Sequence, residues 1–283
     1  MTPLRAKMIE AMTVRGFSVR THQSYLSAVR DLARHYHRAP ERLTLDEVRE
    51  YFVHLAVKRG LSGASCRLYL NAIRFLYLQV LKWPRFDVAI PTPKVEQRIP
   101  ELISHTEVAA ILAACANAKH RMMLATCYGC GLRVSELVAL QVRDIDGERR
   151  LLRIVQGKGA KDRLVPLGPT LLGQLREYWQ LYRPSQWLFP GRSPVAALGI
   201  SSIQKAFTQA KARAGVEKVG GIHSLRHAYA THQLEAGMPV HRLQRLLGHR
   251  DVHATLRYVH WVPSYREGSG AHDLLATLEG RHD

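Results

Sequence analysis

Six polar residues in the C-terminal two thirds of this 283-residue chain form an ordered series: Arg133, Lys158, His223, Arg226, His249 and Tyr258. Two arginines, a lysine, two histidines and a phenol, with no carboxylate among them, suit one task. Together they can hold a phosphodiester, neutralise its charge and attack its phosphorus without a metal ion. Taken singly, each has an ordinary explanation. Arg133 could be a surface arginine paired with Glu136, and Lys158 a solvated lysine in the turn Gly157-Lys158-Gly159. Each histidine could be a packed core residue, and Tyr258 could be packing alone. Arg133 also follows Gly129 and Gly131 at an expected helix start, where the backbone can approach a ligand and the first N–H groups can help hold an anion. His223 and Arg226 stand three apart, which puts them on one helical face.

The bulk charge agrees with a polyanionic partner. The formal net charge is +18 and the pI near 10.2. Up to Gln97 there are 16 Lys/Arg against 8 Asp/Glu, and beyond it 25 against 15, so the two parts carry +8 and +10. A surplus spread over both halves would repel itself unless a partner neutralised it, which suits a protein gripping nucleic acid from two sides. The length suggests two domains, and 46% apolar residues can build a real core. No stretch is long and apolar enough for a bilayer span, and the start, Met1-Thr2-Pro3-Leu4-Arg5-Ala6-Lys7, has no apolar signal core. A cytoplasmic protein without membrane association is expected. The four cysteines show no disulfide framework, and the single pair Cys127-x-x-Cys130 reads as small buried thiols.

The elements that must position the six residues are mostly helical. Residues 1–86 read as four short helices: about Pro3 to Met12, one after Ser18, one opened by the capping box Thr44-x-x-Glu47, and one after Ser62. Tyr25, Leu26, Val29, Leu32 and Ala33 form the inner stripe of the second helix, while Arg20, Arg30, Arg34, Arg67, Arg74 and Lys82 make the outer faces basic. Residues 87–100 carry Pro91, Pro93 and Pro100 with Lys94 and Arg98 and no apolar period, the composition of an extended basic linker. Residues 101–283 open with a second capping box, Ser104-x-x-Glu107. Helices lead to Gly129 and resume near Arg133. The period then changes to that of strands at Leu151–Val155 and Arg163–Leu167, flanking the turn that holds Lys158, with a weaker strand before Asp146. Helices follow over Thr170–Arg183, Ser201–Ala214, His223–Ala236, Pro239–Leu247 and about Val252–His260, and a short amphipathic tail over Ala271–Leu278.

Order and spacing tie the six residues together. The segments Gly131-Leu132-Arg133-Val134-Ser135-Glu136-Leu137, Gly157-Lys158-Gly159-Ala160-Lys161-Asp162-Arg163, His223-Ser224-Leu225-Arg226-His227, Leu246-Leu247-Gly248-His249 and Thr255-Leu256-Arg257-Tyr258 resemble the tyrosine recombinase (phage integrase) family. The likeness spans nearly the whole chain and is greatest to the short integrases of the Xer type and of integrons and transposons. It implies a mainly α fold with a small three-stranded antiparallel sheet. An N-terminal four-helix SAM-like core-binding domain would be followed by the catalytic domain, the two closing around duplex DNA.

The resemblance also implies roles. Tyr258 would attack the scissile phosphate, leaving a 3′-phosphotyrosyl bond and a free 5′-hydroxyl, so that resealing needs no ATP. Arg133 and Arg226 would clamp the non-bridging oxygens, and loss of one clamp would cost on the order of 3 kcal/mol or more. Lys158 would protonate the departing oxygen. His223 and His249 would bond the phosphate, with His223 assisting deprotonation of a phenol whose ordinary pKa is near 10. No cofactor or metal is expected, because the cations replace a two-metal device and the nearby acids, Glu136 and Asp162, read as structural.

Other residues have ordinary explanations. His227, His232, His253 and His260 yield zinc-like spacings that fifteen histidines produce by chance, and Tyr265 follows Pro263 outside the matched register. His260 and Trp261 are expected to shape the pocket around Tyr258. Groove-reading side chains are expected on the second and fourth N-terminal helices and near Ser201 to Lys211. The tail is expected to pack into a neighbouring subunit of a homotetramer on paired DNA sites, or of one shared with a related recombinase, the alternative being docking onto its own domain. A non-catalytic DNA-binding protein and a type IB topoisomerase are the competing readings; the six intact positions, the short N-terminal bundle and the tail favour recombination.

Overall fold

Each of the first six helices begins at a Thr, Ser or Asn whose side-chain oxygen accepts a backbone N–H of the first turn. At Thr44 and Ser104 the glutamate three residues on completes the reciprocal box, as the sequence pattern requires. The computed structural model describes residues 2–86, 100–155, 162–193, 195–268 and 273–278. Two units emerge, Met1–Arg98 and Ile99–Asp283. The expected linker lies, but for Pro100, outside the described residues, and so does the hairpin turn that carries Lys158.

The first unit contains α1 (Pro3–Val14), α2 (Val19–Tyr36), α3 (Leu45–Val53) and α4 (Gly63–Phe75). The last two run on into wider π-type turns, His54–Lys58 and Leu76–Val80. Leu32, Val48, Tyr51, Phe52, Leu55, Ile73 and Tyr77 form one core; Met8, Met12, Val29, Phe75 and Leu76 form another. The six basic residues assigned to the outer faces are all exposed.

In the second unit, α5 (His105–Ala113), α6 (Ala118–Gly129) and α7 (Val134–Val138) precede the strands β1 (Ile145–Asp146), β2 (Leu151–Ile154) and β3 (Arg163–Pro166). The sheet is antiparallel in the order β1-β2-β3, with Leu152 opposite Val165 and Ile154 opposite Arg163. Alternation decides its faces: Leu152, Ile154 and Val165 point into the core, while Arg153 and Leu164 face outward. Then come α8 (Pro169–Tyr182), α9 (Ile200–Arg213), α10 (His223–Glu235), α11 (Val240–Leu247), α12 (His253–Trp261) and α13 (Leu274–Leu278). Helices α6 and α10 are buried on every face over Met122–Tyr128 and Ala228–Leu234, so they form the spine of this unit. All four cysteines of the chain are buried and unbridged.

The tail docks onto its own domain, the alternative to packing into a neighbour. Leu274 and Leu275 are buried in the core of their own unit, with Leu278 packed against it. Asp273 holds the segment there. Its Oδ2 accepts the Thr170 N–H at the start of α8 (3.0 Å), and its Oδ1 accepts those of Leu275 and Ala276 (3.1 and 3.2 Å). One carboxylate thus caps two helices, and three leucines in a single chain find cover on their own domain.

The alternation of the sheet is testable. Leu152→Ala should lower the stability of the second unit by about 2–5 kcal/mol, as other buried leucine truncations do. Leu164→Ala, at a site 56% exposed, should stay within about 0.5 kcal/mol. Urea unfolding of both variants measures the contrast, and equal losses would refute the register.

Candidate active site

Three arginines meet at the C-terminal end of α11. Arg163 donates from Nε to the Leu246 carbonyl (2.7 Å), Arg226 from Nη2 to that of Leu247 (2.6 Å), and Arg133 from Nη2 to that of Gly248 (3.4 Å). Carbonyls in a helix's last turn lack intrahelical partners and carry the negative end of its dipole, so guanidinium groups suit them. Gly248 closes the helix in the left-handed conformation (φ +63°), and a Cβ there would meet Arg163 Cδ at 3.1 Å.

On the other side of the arginines lies one buried carboxylate. Glu136 receives Arg163 in a two-pronged contact (2.9 and 2.7 Å) and Arg133 through Nη1 (2.7 Å), with Arg226 Nη1 at 3.8 Å. Burial pushes the Glu136 carboxyl up, but the hydrogen bonds and charge of Arg163, with those of Arg133, outweigh it and hold the group at about 2. Glu136 Oε2 also accepts the backbone N–H of Arg133 (2.9 Å), so a carboxylate of the protein already occupies the start of α7. The anion-holding role expected for that helix start gives way to this contact. The ordinary pairing of Arg133 with Glu136 and the gathering of Arg133 into a polar cluster are both present.

Arg226 is 1% exposed. Besides the Leu247 carbonyl, it donates to Gly131 O (2.6 Å) and contacts His249 Nε2 (3.2 Å). Burial and the neighbouring Arg133 lower its pKa to about 10, with Glu136 opposing, so it remains a cation at neutral pH. Gly131 allows this approach: its φ is +58°, and a Cβ would lie 2.4 Å from the Tyr229 ring. A guanidinium only donates, so His249 Nε2 must be bare and Nδ1 must carry the hydrogen, directed at Thr255 Oγ1 (2.8 Å). Burial, with the charges of Arg226 and Arg133, lowers His249 to about 4. The imidazole is neutral at pH 7.

Tyr258, on α12, stacks nearly parallel to His249 with ring centroids 6.3 Å apart. Its hydroxyl lies 2.9 Å from His227 Nδ1. Burial raises the phenol's pKa, while Arg226, Arg257 and Arg133 pull it down. His223, one turn before His227, packs edge-to-face on it at 4.6 Å. An unbroken line of contacts, running through His227 and Glu136, therefore joins five of the six residues singled out in sequence: His223, Tyr258, His249, Arg226 and Arg133. Lys158 is the sixth and lies outside the described residues.

Three participants escaped the sequence reading. Arg163 ends the stretch Gly157–Arg163, for which the resemblance implied a role only at Lys158. Glu136 read as structural, but its three-arginine contact was unforeseen. His227 was set aside, although it is the histidine that reaches the Tyr258 hydroxyl. Its position four residues after His223 was the available signal. Trp261 packs beside the phenol, its ring 5.1 Å from Tyr258 and 5.7 Å from His227. Asp162 pairs with Arg153 (2.7 Å), and Tyr265 bonds the Met238 carbonyl (3.2 Å). Among the described residues, His105, His232 and Glu235 bring possible metal-ligand atoms within 4.8 Å of one another. The two rings stack at 3.6 Å, and His232 Nδ1 is held by the Tyr128 hydroxyl (2.9 Å). Stacked imidazoles aim their in-plane lone pairs side by side, which does not suit a shared ion.

Comparison with known proteins agrees with this arrangement. Residues 101–264 match the model of the phage integrase family, and residues 4–85 that of the phage integrase N-terminal SAM-like domain. A putative integrase/recombinase of Sinorhizobium fredii, y4qK, is 42% identical over 261 residues, covering 92% of this chain and 84% of its own. The tyrosine recombinase XerC of Xanthomonas axonopodis pv. citri is 34% identical over 219 residues, covering 74% and 71%. Two solved structures share the fold. The XerH site-specific recombinase bound to a palindromic difH substrate in a post-cleavage complex has a TM-score of 0.70 at 19% identity, covering 90% of this chain and 80% of that one. A lambda integrase dimer bound to a COC′ core site has a TM-score of 0.73 at 18% identity, covering 88% and 94%. The chain belongs to the phage integrase family, the tyrosine-type site-specific DNA recombinases. Among the described residues, no helix is long and apolar enough to cross a membrane.

The buried carboxylate gives a pH prediction. A carboxyl held at about 2 when folded, against an ordinary 4.5, stabilises the fold fully above about pH 4.5, and this share is lost as pH falls toward 2. Glu136→Gln should remove that component from the stability profile of the second unit. At neutral pH it should cost about 3–5 kcal/mol, because buried Arg226 and the partly buried Arg133 and Arg163 lose their counter-charge. Urea unfolding from pH 7 to pH 2 checks both, and an unchanged acid limb in the variant would contradict the assignment.

Proposed function

We propose that this recombinase cuts and rejoins duplex DNA at specific paired sites with Tyr258 as the nucleophile. The phenol oxygen bonds to phosphorus while the P–O5′ bond breaks, giving a 3′-phosphotyrosyl strand and a 5′-hydroxyl. Arg133 and Arg226 hold the non-bridging oxygens, His223 bonds the same phosphate, His249 fixes Arg226 through its Nε2, and Lys158 protonates the departing O5′. Attack by a 5′-hydroxyl of the partner strand reverses the sequence. The phosphotyrosyl bond conserves the energy of the cut linkage, so neither ATP nor a metal enters the scheme. The observation that carries the reading is the shared neighbour of phenol and guanidinium: His249 touches Arg226 at 3.2 Å and stacks on Tyr258.

Residues 1–86 serve in this reading as the core-binding domain, 87–100 as the linker and 101–283 as the catalytic domain. Double-stranded DNA is the partner, in line with the DNA-bound states of the XerH and lambda integrase structures and with positive charge on both halves of the chain. The working assembly is a homotetramer on two sites, or one completed by a related recombinase, and it acts in the cytoplasm.

The target sequence need not be known to test this. Wild-type protein incubated with a random-sequence duplex library and then denatured should leave DNA covalently attached through 3′ ends, with or without EDTA. Tyr258→Phe should leave none, and an adduct that survives this change would sink the proposal. Arg226→Ala should slow adduct formation by about 100- to 1,000-fold. Filter binding to the recovered sites should weaken steeply with salt, since each neutralised phosphate releases counterions. A flat salt response would contradict the proposed phosphate grip.

A further inference from the structure

Resting on the reading of Tyr258 as nucleophile, we propose that His227 is the proton acceptor for its hydroxyl, a catalytic residue additional to the six. The geometry is direct. On α10, His223, Arg226 and His227 stand at positions i, i+3 and i+4, one face of the helix. That face meets α12, where Tyr258 and Trp261 stand three apart. The His227 ring lies among three others: His223 at 4.6 Å, Tyr258 at 5.6 Å and Trp261 at 5.7 Å. Its Nδ1 is 2.9 Å from the phenolic oxygen, within reach for proton transfer.

The other histidine beside the phenol is committed elsewhere. His249 Nε2 receives Arg226, and its Nδ1 hydrogen is directed at Thr255. Neither nitrogen of His249 has a lone pair left for the phenol. His223 is exposed, and its ring contact is with His227. His227, by contrast, is half-buried and neutral at pH 7: burial, then the charges of His223, Arg226 and Arg257, lower it to about 4. A neutral imidazole whose Nε2 carries the hydrogen presents a bare Nδ1 to the Tyr258 O–H.

The step balances. As the tyrosyl oxygen forms its bond to phosphorus, its proton passes to His227 Nδ1, and the P–O5′ electron pair leaves with O5′, which takes a proton from Lys158. The imidazolium so formed places a positive charge beside the phosphate while charge builds there. In rejoining, the incoming 5′-hydroxyl gives its proton to Lys158 as His227 returns one to the departing tyrosyl oxygen. The charged and titratable groups facing the pair are His223 and Arg226 on α10, Arg257 on α12, His249 after α11 and Arg133 before α7.

The test uses nicked duplexes of the sites recovered with the wild-type protein. His227→Gln and His227→Ala are compared with the wild type in the full-length protein, each checked for an unchanged melting curve and unchanged duplex binding. Both should form adduct about 100-fold more slowly or worse at pH 7. The deficit should shrink as pH rises toward the phenol's own range, and added imidazole should restore part of the rate of His227→Ala. A 5′-bridging phosphorothiolate, whose leaving group needs no protonation, should not rescue either variant. Should His227→Ala not fold, the pH profile of His227→Gln decides alone. Wild-type rate and pH profile in a folded His227 variant, with Tyr258→Phe inactive, would overturn this inference and leave Tyr258 in place. Adduct formation by Tyr258→Phe would instead remove the reading on which it rests.

Discussion

The site depends on three guanidinium groups held between the last carbonyls of α11 and one buried carboxylate. Arg163, Arg226 and Arg133 take the carbonyls of Leu246, Leu247 and Gly248 in order, and Glu136 faces the same three cations. Neither half would suffice. The clustered arginines without Glu136 would repel one another, and Glu136 without them would be an isolated charge in the interior. The helix end supplies what the carboxylate cannot, because partnerless carbonyls accept guanidinium donors without becoming charged themselves. Strands, helices and the α6–α7 turn are locked together at this cluster.

Rigidity of this kind has a chemical use. An arginine whose position is set before DNA arrives need not reorganise when charge develops on phosphorus. Arg226 makes three of its contacts through Nη1 and Nη2 to groups that cannot compete as anions: two carbonyls and an imidazole. A guanidinium has five N–H donors, more than these contacts use. The same contact selects the tautomer of His249, so a histidine stacked on Tyr258 has its proton placed by an arginine. Glu136, which the sequence reading took for a structural residue, is structural in this strong sense: it touches the arginines and holds two of them in place.

Much of the scaffold was legible because it rests on local rules. The capping boxes at Thr44 and Ser104, the hairpin strands around the turn and the short strand before Asp146 all follow from neighbours within a few residues. The exposed basic faces of the first unit follow from helical period. Helices α6 and α10 were harder to orient, since burial on all sides leaves no polar face to give a period. The tail was read as apolar on one side, which it is. Where that side would pack depended on a surface assembled from α5, α6, α8 and α10, and on a capping contact between Asp273 and Thr170 that spans 103 positions.

The sequence by itself determined the chemical inventory and its order: two arginines, a lysine, two histidines and a tyrosine in the pattern of one family, on a basic, mostly helical chain. Tertiary structure decided which side chains meet. Arg226 reaches Gly131 across 95 positions and Arg163 reaches Leu246 across 83. No local period encodes such contacts, because they arise only when the end of α6 meets α10 and β3 meets α11. His227 shows the division most sharply. Its spacing from His223 said that the two share a helical face, and only the packing of α10 on α12 put a phenol 2.9 Å away.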